Sequence, residues 1–130
     1  MDAAQRAGVQ LIAYTNRAMK VQDTASNPLV EGHFATEAYI KRSGLTYALL
    51  RNALYMDVIP LYLGGAQVFE TGIYLPTGAG KVAFARRSEL GEAIANLLAD
   101  EDTASEIHQF TAGEAWFYYD VADVRTDRAQ

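Results

Sequence analysis

The chain has 130 residues, of which 50% are apolar and 21% are charged, as in a single globular domain. Its 11 basic and 16 acidic residues give a net charge of −5, so no nucleic-acid partner is expected. The absence of cysteine excludes disulfide bonds, thiolate catalysis and cysteine-ligated zinc. No apolar segment approaches the ~20 residues of a membrane helix, and the amino terminus has no hydrophobic signal core. These features predict a cytoplasmic protein without a membrane partner.

The amino-terminal part of the chain is predicted to alternate between helix and strand. A short helix over residues 2–7 ends at Gly8, and residues 9–15 form an apolar strand buried on both faces. A polar loop is expected over residues 16–27. Asn27 and Pro28 then suit the start of a helix that runs to about Ser43. On that helix Glu37, Lys41 and Arg42 are expected to face water, opposite an apolar face made of Phe34, Ala35, Ala38, Tyr39 and Leu45.

A second buried strand follows, because residues 46–50 are a short apolar run without alternation. Strand, helix and strand in succession predict a right-handed crossover that joins two parallel strands. Arg51 and Asn52 come directly after the second strand, and open α/β sheets bind ligands beyond the carboxyl ends of their strands. Two interpretations stay open for these residues. They lie near a ligand, or Arg51 pairs with a neighbouring acid and Asn52 caps or turns the chain.

The carboxyl-terminal half is predicted to consist of short elements. Pro60 lies within a short or kinked helix over residues 56–64, and strands over residues 72–76 and 81–85 are joined by a turn. Ser88 is expected to cap a helix, because the apolar residues after it recur at helical spacing. A strand over residues 106–111 and a final helix from Trp116 to about Asp127 complete the prediction.

Two motifs bear on phosphate or metal binding. Gly78, Gly80 and Lys81 do not form a phosphate-binding loop, since the required glycine before them and the Ser or Thr after them are absent. His33 and Glu37 are four residues apart on a helix and could share a metal ion, but most such pairs are only surface neighbours. We therefore predict no metal site.

The segment Gly44-Leu-Thr-Tyr-Ala-Leu-Leu-Arg-Asn-Ala-Leu-Tyr55 closely resembles a motif of the NmrA-like atypical short-chain dehydrogenase/reductase family, and it is nearest to the quinone and triphenylmethane-dye reductases of that family. Further matches keep the family's order. They are residues 7–15, 33–37, 78–81, 87–90 and 111–113. The resemblance implies an α/β fold: the carboxyl-terminal part of a Rossmann-type parallel sheet with crossover helices, and a small α+β substrate subdomain. Residues 1–55 would end the Rossmann sheet, and residues 56–130 would supply the subdomain elements of this single domain.

The resemblance also implies an activity, namely hydride transfer from NADPH or NADH to a quinone-like or other aromatic acceptor. The family's glycine-rich dinucleotide fingerprint would precede Met1, so the chain is similar to the later half of such a reductase. No catalytic residue is assigned, because Leu29 stands one helical turn before His33, where related reductases have a tyrosine.

Nine residues match positions that border the cofactor or the acceptor in this family. Leu54 and Tyr55 would contact the acceptor. The cofactor would be bound by Thr15, Asn16, His33, Arg51, Asn52, Ala53 and Arg86.

Two further predictions accompany this reading of the sequence. The alternative function is a non-catalytic NmrA-like module for redox sensing or protein interaction. Half of a Rossmann sheet would leave an apolar face and an unpaired edge, so a homo-oligomer, such as a dimeric remnant fold, is expected.

Overall fold

A computed structural model of the chain describes residues 1–18, 28–72, 78–100 and 105–121, apart from the side chains of Leu29, Val68 and Phe69. The described helices are α1 (Asp2–Arg6), α2 (Pro28–Arg42), α3 (Ile59–Tyr62), α4 (Val68–Thr71) and α5 (Arg87–Ala99), with 3-10 turns at Met56–Val58 and Gly65–Gln67. The described strands are β1 (Leu11–Arg17), β2 (Thr46–Asn52), β3 (Leu54–Tyr55), β4 (Lys81–Ala85), β5 (Glu106–Phe110) and β6 (Ala115–Phe117). Residues 118–121 are also helical.

The first sheet is fully parallel, in the strand order β1-β2-β5. Its register pairs Leu11 with Thr46 and Arg17 with Asn52, and α2 connects these two strands. The predicted parallel pair with its crossover helix is therefore confirmed. The strands end together, so the polar residues at their carboxyl ends share one edge of the sheet.

The second sheet is smaller and mixed, in the order β3-β4-β6. Strands β3 and β4 are parallel, whereas β4 and β6 are antiparallel. Ala53 is the single residue between β2 and β3, and its N–H donates a 2.7 Å hydrogen bond to the carbonyl of Phe110. The chain thus passes from one sheet to the other at the end of β2. Strand β5 lies beyond residue 55 in sequence but returns to the first sheet.

The packed centre of the first sheet is β2 together with α2. Ala48, Leu49, Leu50 and Ile40 are fully buried. Removing a large aliphatic side chain from water stabilises a fold by about 1.5–3 kcal/mol. The strand predicted over residues 46–50 is therefore confirmed, and the predicted burial holds for residues 48–50, whereas Thr46 is exposed and Tyr47 is half-buried.

The burial predicted for β1 is wrong. Its residues alternate, and Ala13, Thr15 and Arg17 are exposed. The reason is its position, since β1 is the edge strand of the described sheet and α2 packs against only one of its faces. The strand also extends through Asn16 and Arg17, which the sequence had placed in the following loop.

The face predicted for α2 is wrong for Glu37 and Tyr39, whereas Lys41 and Arg42 are exposed as predicted. Among the described side chains of this helix, those of Val30, Glu37 and Ile40 are buried, whereas Tyr39 is 48% exposed. Residues 30, 37 and 40 lie on one face of a helix, but Glu37 was predicted to face water together with Lys41 and Arg42. Glu37 lies inside because a cation reaches it from β2, as described below.

Two element starts differ from the prediction. Helix α5 begins at Arg87, and its first N–H donates a 2.8 Å hydrogen bond to Oδ2 of Asp57 from a different segment, so Ser88 is not the cap. Trp116 lies in β6 and not in a final helix, because this segment pairs with β4. The later part of that predicted helix and most of the strand predicted over residues 72–76 fall outside the described residues. Among the helices that the structure describes, none is both long and apolar enough to cross a membrane.

Candidate functional site

A cleft of about 280 Å³ opens at the carboxyl edge of the first sheet, where β1 and β2 end. Seven of the nine predicted site residues line it. They are Thr15, Asn16, His33, Asn52, Ala53, Leu54 and Tyr55. The remaining described lining residues are Arg17, Val58 and Tyr62. Residues from β1, α2, β2, β3 and the turns after β3 thus converge on one site.

A buried ion pair lies beside this cleft and joins α2 to β2. Nε of Arg51 donates to Oε1 of Glu37 at 2.8 Å, and its Nη2 donates to Oε2 at 2.7 Å. The two side chains are only 9% and 3% exposed. The guanidinium carbon also lies 5.9 Å from the centre of the Phe34 ring. Arg51 therefore has the neighbouring acid that one interpretation of the sequence required, and it does not line the cleft.

Asn16 joins the same network from β1. Its Nδ2 donates to Oε1 of Glu37 at 2.6 Å. Burial raises the pKa of Glu37, but the hydrogen bonds from Arg51 and Asn16 and the charge of Arg51 outweigh it, so the pKa lies below its ordinary value. The hydrogen bond to Glu37 in turn raises the pKa of Arg51. Both groups are therefore charged near neutral pH.

Two amide oxygens at the cleft have no partner among the described residues. Oδ1 of Asn16 and Oδ1 of Asn52 are buried and accept no hydrogen bond. Nδ2 of Asn52 donates to the hydroxyl of Tyr55 at 3.4 Å. Buried polar atoms are nearly always satisfied in native proteins, so two such acceptors in one cleft suggest a ligand that brings donors.

His33 reaches the cleft from the first half of α2. A 2.9 Å hydrogen bond joins its Nδ1 to the hydroxyl of Tyr14 on β1. This contact orients the imidazole and leaves Nε2 as the ring nitrogen available to a ligand. Glu37 is occupied by Arg51, which removes the partner that a metal ion on His33 would need. In the part of the chain that the structure describes, no group of three or more potential metal ligands occurs.

Arg86 is the second predicted site residue that the cleft does not include. It is exposed and occupies the position before α5, away from the cleft lining. Glu37 was missed as a member of the site, although it belongs to the 33–37 segment on which the family resemblance rests. The spacing of residues 30, 37 and 40 on one helix face could have revealed its burial.

A second, larger cleft of about 510 Å³ adjoins the first and shares Arg17, Asn52, Ala53 and Leu54 with it. Its other described lining residues are Ala18, Lys81, Val82, Ala83, Gln109 and Thr111. The charged residues among those described are Arg17 and Lys81, both cations. Nζ of Lys81 lies 4.4 Å from the centre of the Phe117 ring. This cleft was not predicted from the sequence, because its lining comes from the ends of four strands that are distant in sequence, β1, β2, β4 and β5.

The amino-acid sequence is similar to those of known oxidoreductases. Quinone oxidoreductase 2 of Escherichia coli (strain K12) is 32% identical over 118 residues, which are 89% of this chain and 40% of that protein. The NmrA-like family domain-containing oxidoreductase flvB of Aspergillus flavus is 32% identical over 115 residues, or 88% of this chain and 37% of that protein. No protein-family model matches the chain. The chain spans about two fifths of the length of the curated relatives it matches.

The solved structures that the fold resembles include enzymes of the same kind as these relatives. Triphenylmethane reductase of Citrobacter sp., crystallised in complex with NADP(H), gives a TM-score of 0.80 at 32% identity, over 97% of this chain and 44% of that one. The Escherichia coli quinone oxidoreductase, crystallised with NADPH, gives a TM-score of 0.78 at 29% identity, over 98% of this chain and 44% of that one. The predicted α/β fold is thereby confirmed as part of a Rossmann-type reductase fold. In sequence and in fold, the chain is homologous to NmrA-like oxidoreductases over a part of their length.

Proposed function

We propose that the chain forms the nicotinamide and acceptor part of an NAD(P)H-dependent oxidoreductase, which transfers a hydride to a quinone-like or other aromatic acceptor. The observation that carries the proposal is the cleft at the ends of β1 and β2, where seven residues matched to the family's cofactor and acceptor positions converge. Two of its relatives were crystallised with NADP(H), and they are reductases of a quinone and of triphenylmethane dyes.

The residues of the cleft fit a nicotinamide. Its carboxamide carries two N–H donors, and Asn16 and Asn52 each have a buried acceptor oxygen that no described residue satisfies. His33 would hold the adjoining part of the cofactor through its second ring nitrogen, since Tyr14 occupies the first. When bound, a reduced nicotinamide supplies the hydride.

The protein side chains would contribute binding and orientation. No described residue of the cleft lining carries a carboxyl group, and no side chain is assigned as the proton donor. The proton that completes the reduction of a quinone would come from solvent. Leu54, Val58 and the ring of Tyr55 form a wall that would hold a flat acceptor against the nicotinamide. The family position for an acid/base tyrosine is Leu29 in this sequence.

NADPH titration of the 130-residue chain, followed by calorimetry and nicotinamide fluorescence, tests this proposal. We expect micromolar binding that weakens about tenfold in Asn52→Ala, because one good hydrogen bond contributes up to about 1.5 kcal/mol. Asn96→Ala is the matched control, since Asn96 is exposed on α5. Loss of NADPH absorbance on addition of a quinone would establish turnover. Binding without turnover would favour the non-catalytic alternative, and no binding at millimolar NADPH would refute the proposal for this chain.

A further inference from the structure

We infer that Glu37 is a positioning residue that fixes the amide of Asn16 with its oxygen free for a ligand, so that the cleft selects a head group bearing N–H donors, namely a primary carboxamide. The inference rests on the proposed function, in which a nicotinamide occupies the cleft. It concerns the specificity of that site, and Glu37 itself does not line the cleft.

The orientation follows from the chemistry of the two side chains. An ionised carboxylate accepts hydrogen bonds and donates none, whereas an amide has a donating and an accepting end. Nδ2 of Asn16 lies 2.6 Å from Oε1 of Glu37, and both residues are buried, at 5% and 3% exposure. With the amide reversed, two oxygens would face each other without a proton between them. Glu37 therefore leaves Oδ1 as the end of Asn16 that a ligand can use.

Arg51 stabilises this orientation of the Asn16 amide. Its two hydrogen bonds to Glu37 hold the carboxylate in one place and favour its ionised form. A protonated Glu37 could donate to the oxygen of Asn16 and allow the reversed amide, but the adjacent guanidinium disfavours that proton. The ion pair thus serves the cleft although neither of its members lines it.

Asn52 supplies a second acceptor from the neighbouring strand. In the parallel register Asn16 pairs with Arg51, and Arg17 with Asn52, so the two asparagines lie at the same sheet edge with their side chains on opposite faces of the sheet. Both have a buried Oδ1 that finds no hydrogen-bond partner among the residues that the structure describes. A primary carboxamide offers two N–H groups, whereas an acetyl group of the same shape offers none. The acetyl compound would leave the oxygen of Asn16 unsatisfied, so the cleft should discriminate against it.

The test compares NADP⁺ with its 3-acetylpyridine analogue by calorimetry on the whole chain. We expect the wild type to bind NADP⁺ at least tenfold more tightly than the analogue. In Glu37→Gln the new amide can donate as well as accept, so the Asn16 amide can reverse, and the ratio should fall to roughly threefold or less. Glu92→Gln, an exposed substitution on α5, should keep the wild-type ratio. A purely structural role of Glu37 would weaken both ligands equally and leave the ratio unchanged, which would overturn the inference.

The failures of the two proposals are distinguishable. Tight binding of both dinucleotides with a wild-type ratio near one would overturn the inference and leave the proposed function standing. Binding of neither dinucleotide would overturn both. If Glu37→Gln does not fold, as judged by circular dichroism, Asn16→Ala carries the test, and a ratio that stays at tenfold in that variant contradicts the inference.

Discussion

The buried pair of Glu37 and Arg51 should make the stability of the fold depend on both residues in a non-additive way. In Glu37→Met the guanidinium of Arg51 stays buried without a counter-charge, and it cannot neutralise itself by losing a proton. Removing one member of a buried pair typically costs about 3–5 kcal/mol. Small domains are stable by only about 5–15 kcal/mol, so this loss is a large fraction of the total. Arg51→Met should cost less, because a carboxylate can take up a proton.

The double variant Glu37→Met/Arg51→Met should recover much of the lost stability. Apolar replacement of both members leaves no buried charge, and such exchanges are often close to neutral. Urea denaturation measures the cycle. With a slope of ~2 kcal/mol per molar, a loss of about 4 kcal/mol moves the midpoint by about 2 M. Arg87→Met is the matched control, because its ion pair with Asp57 spans 3.7 Å between exposed side chains and should leave the midpoint almost unchanged. Equal stability of Glu37→Met and wild type, or simple additivity in the double variant, would refute the reasoning.

Three other predictions concern pH, a helix terminus and the larger cleft. The hydrogen bonds to Glu37 lower its pKa by more than burial raises it, so the pKa in the folded state lies below the unfolded value near 4.5. The stability that the ionised Glu37 contributes is therefore present above pH 4.5 and is lost as the pH falls through the folded pKa. Urea midpoints should drop more steeply in acid for wild type than for Glu37→Gln, and parallel curves would contradict this. Asp57→Ala should speed amide hydrogen exchange at Arg87, whereas Asp57→Asn should largely preserve protection because it keeps an acceptor oxygen. Unchanged exchange in both variants would exclude Asp57 as the acceptor that caps α5. In the lining of the larger cleft, the charged residues among those described are the cations Arg17 and Lys81, so an anionic quinone such as anthraquinone-2-sulfonate should be attracted there. It should bind several-fold more weakly to Lys81→Gln, and more weakly to wild type as the salt concentration increases. Binding that does not depend on salt would count against an electrostatic role.

The parts of the fold that the sequence predicted well are those where one physical effect dominates. Residues 46–50 form a continuous apolar run, and a central parallel strand is the structure that buries such a run on both faces. Pro28 and Gly44 mark the ends of α2 because backbone geometry restricts both residue types. Gly44 has a φ of +75°, which other residues rarely adopt.

The predictions that were wrong concern residues whose contacts are with partners distant in sequence. The burial of Glu37 requires Arg51, which lies 14 residues later and reaches the helix only once β2 is paired beside β1. The helix predicted at Trp116 became a strand because β4 offers a free edge to pair with. Local patterns contain neither contact, so tertiary structure overrides the local preference in both cases.

The residues of the candidate site were predicted more from the family resemblance than from the pattern of apolar and polar residues. Strand ends and polar residues indicated a ligand edge, and the structure brings Thr15, His33 and Tyr55 together there. The exclusion of Arg86 from the cleft had no indication in the sequence, since its motif match does not fix where α5 begins. The orientation of the Asn16 amide is likewise a property of the folded network alone.

The most direct test of the central claim is ¹H–¹⁵N NMR of the isotopically labelled chain during addition of NADPH. We predict that the shifted resonances cluster at the cleft, with the largest changes at Thr15, Asn16 and Asn52, including the side-chain amides of both asparagines. Resonances of α1 and of the exposed face of α5 should stay in place. Shifts that cluster away from the ends of β1 and β2, or no shifts at millimolar NADPH, would contradict the account.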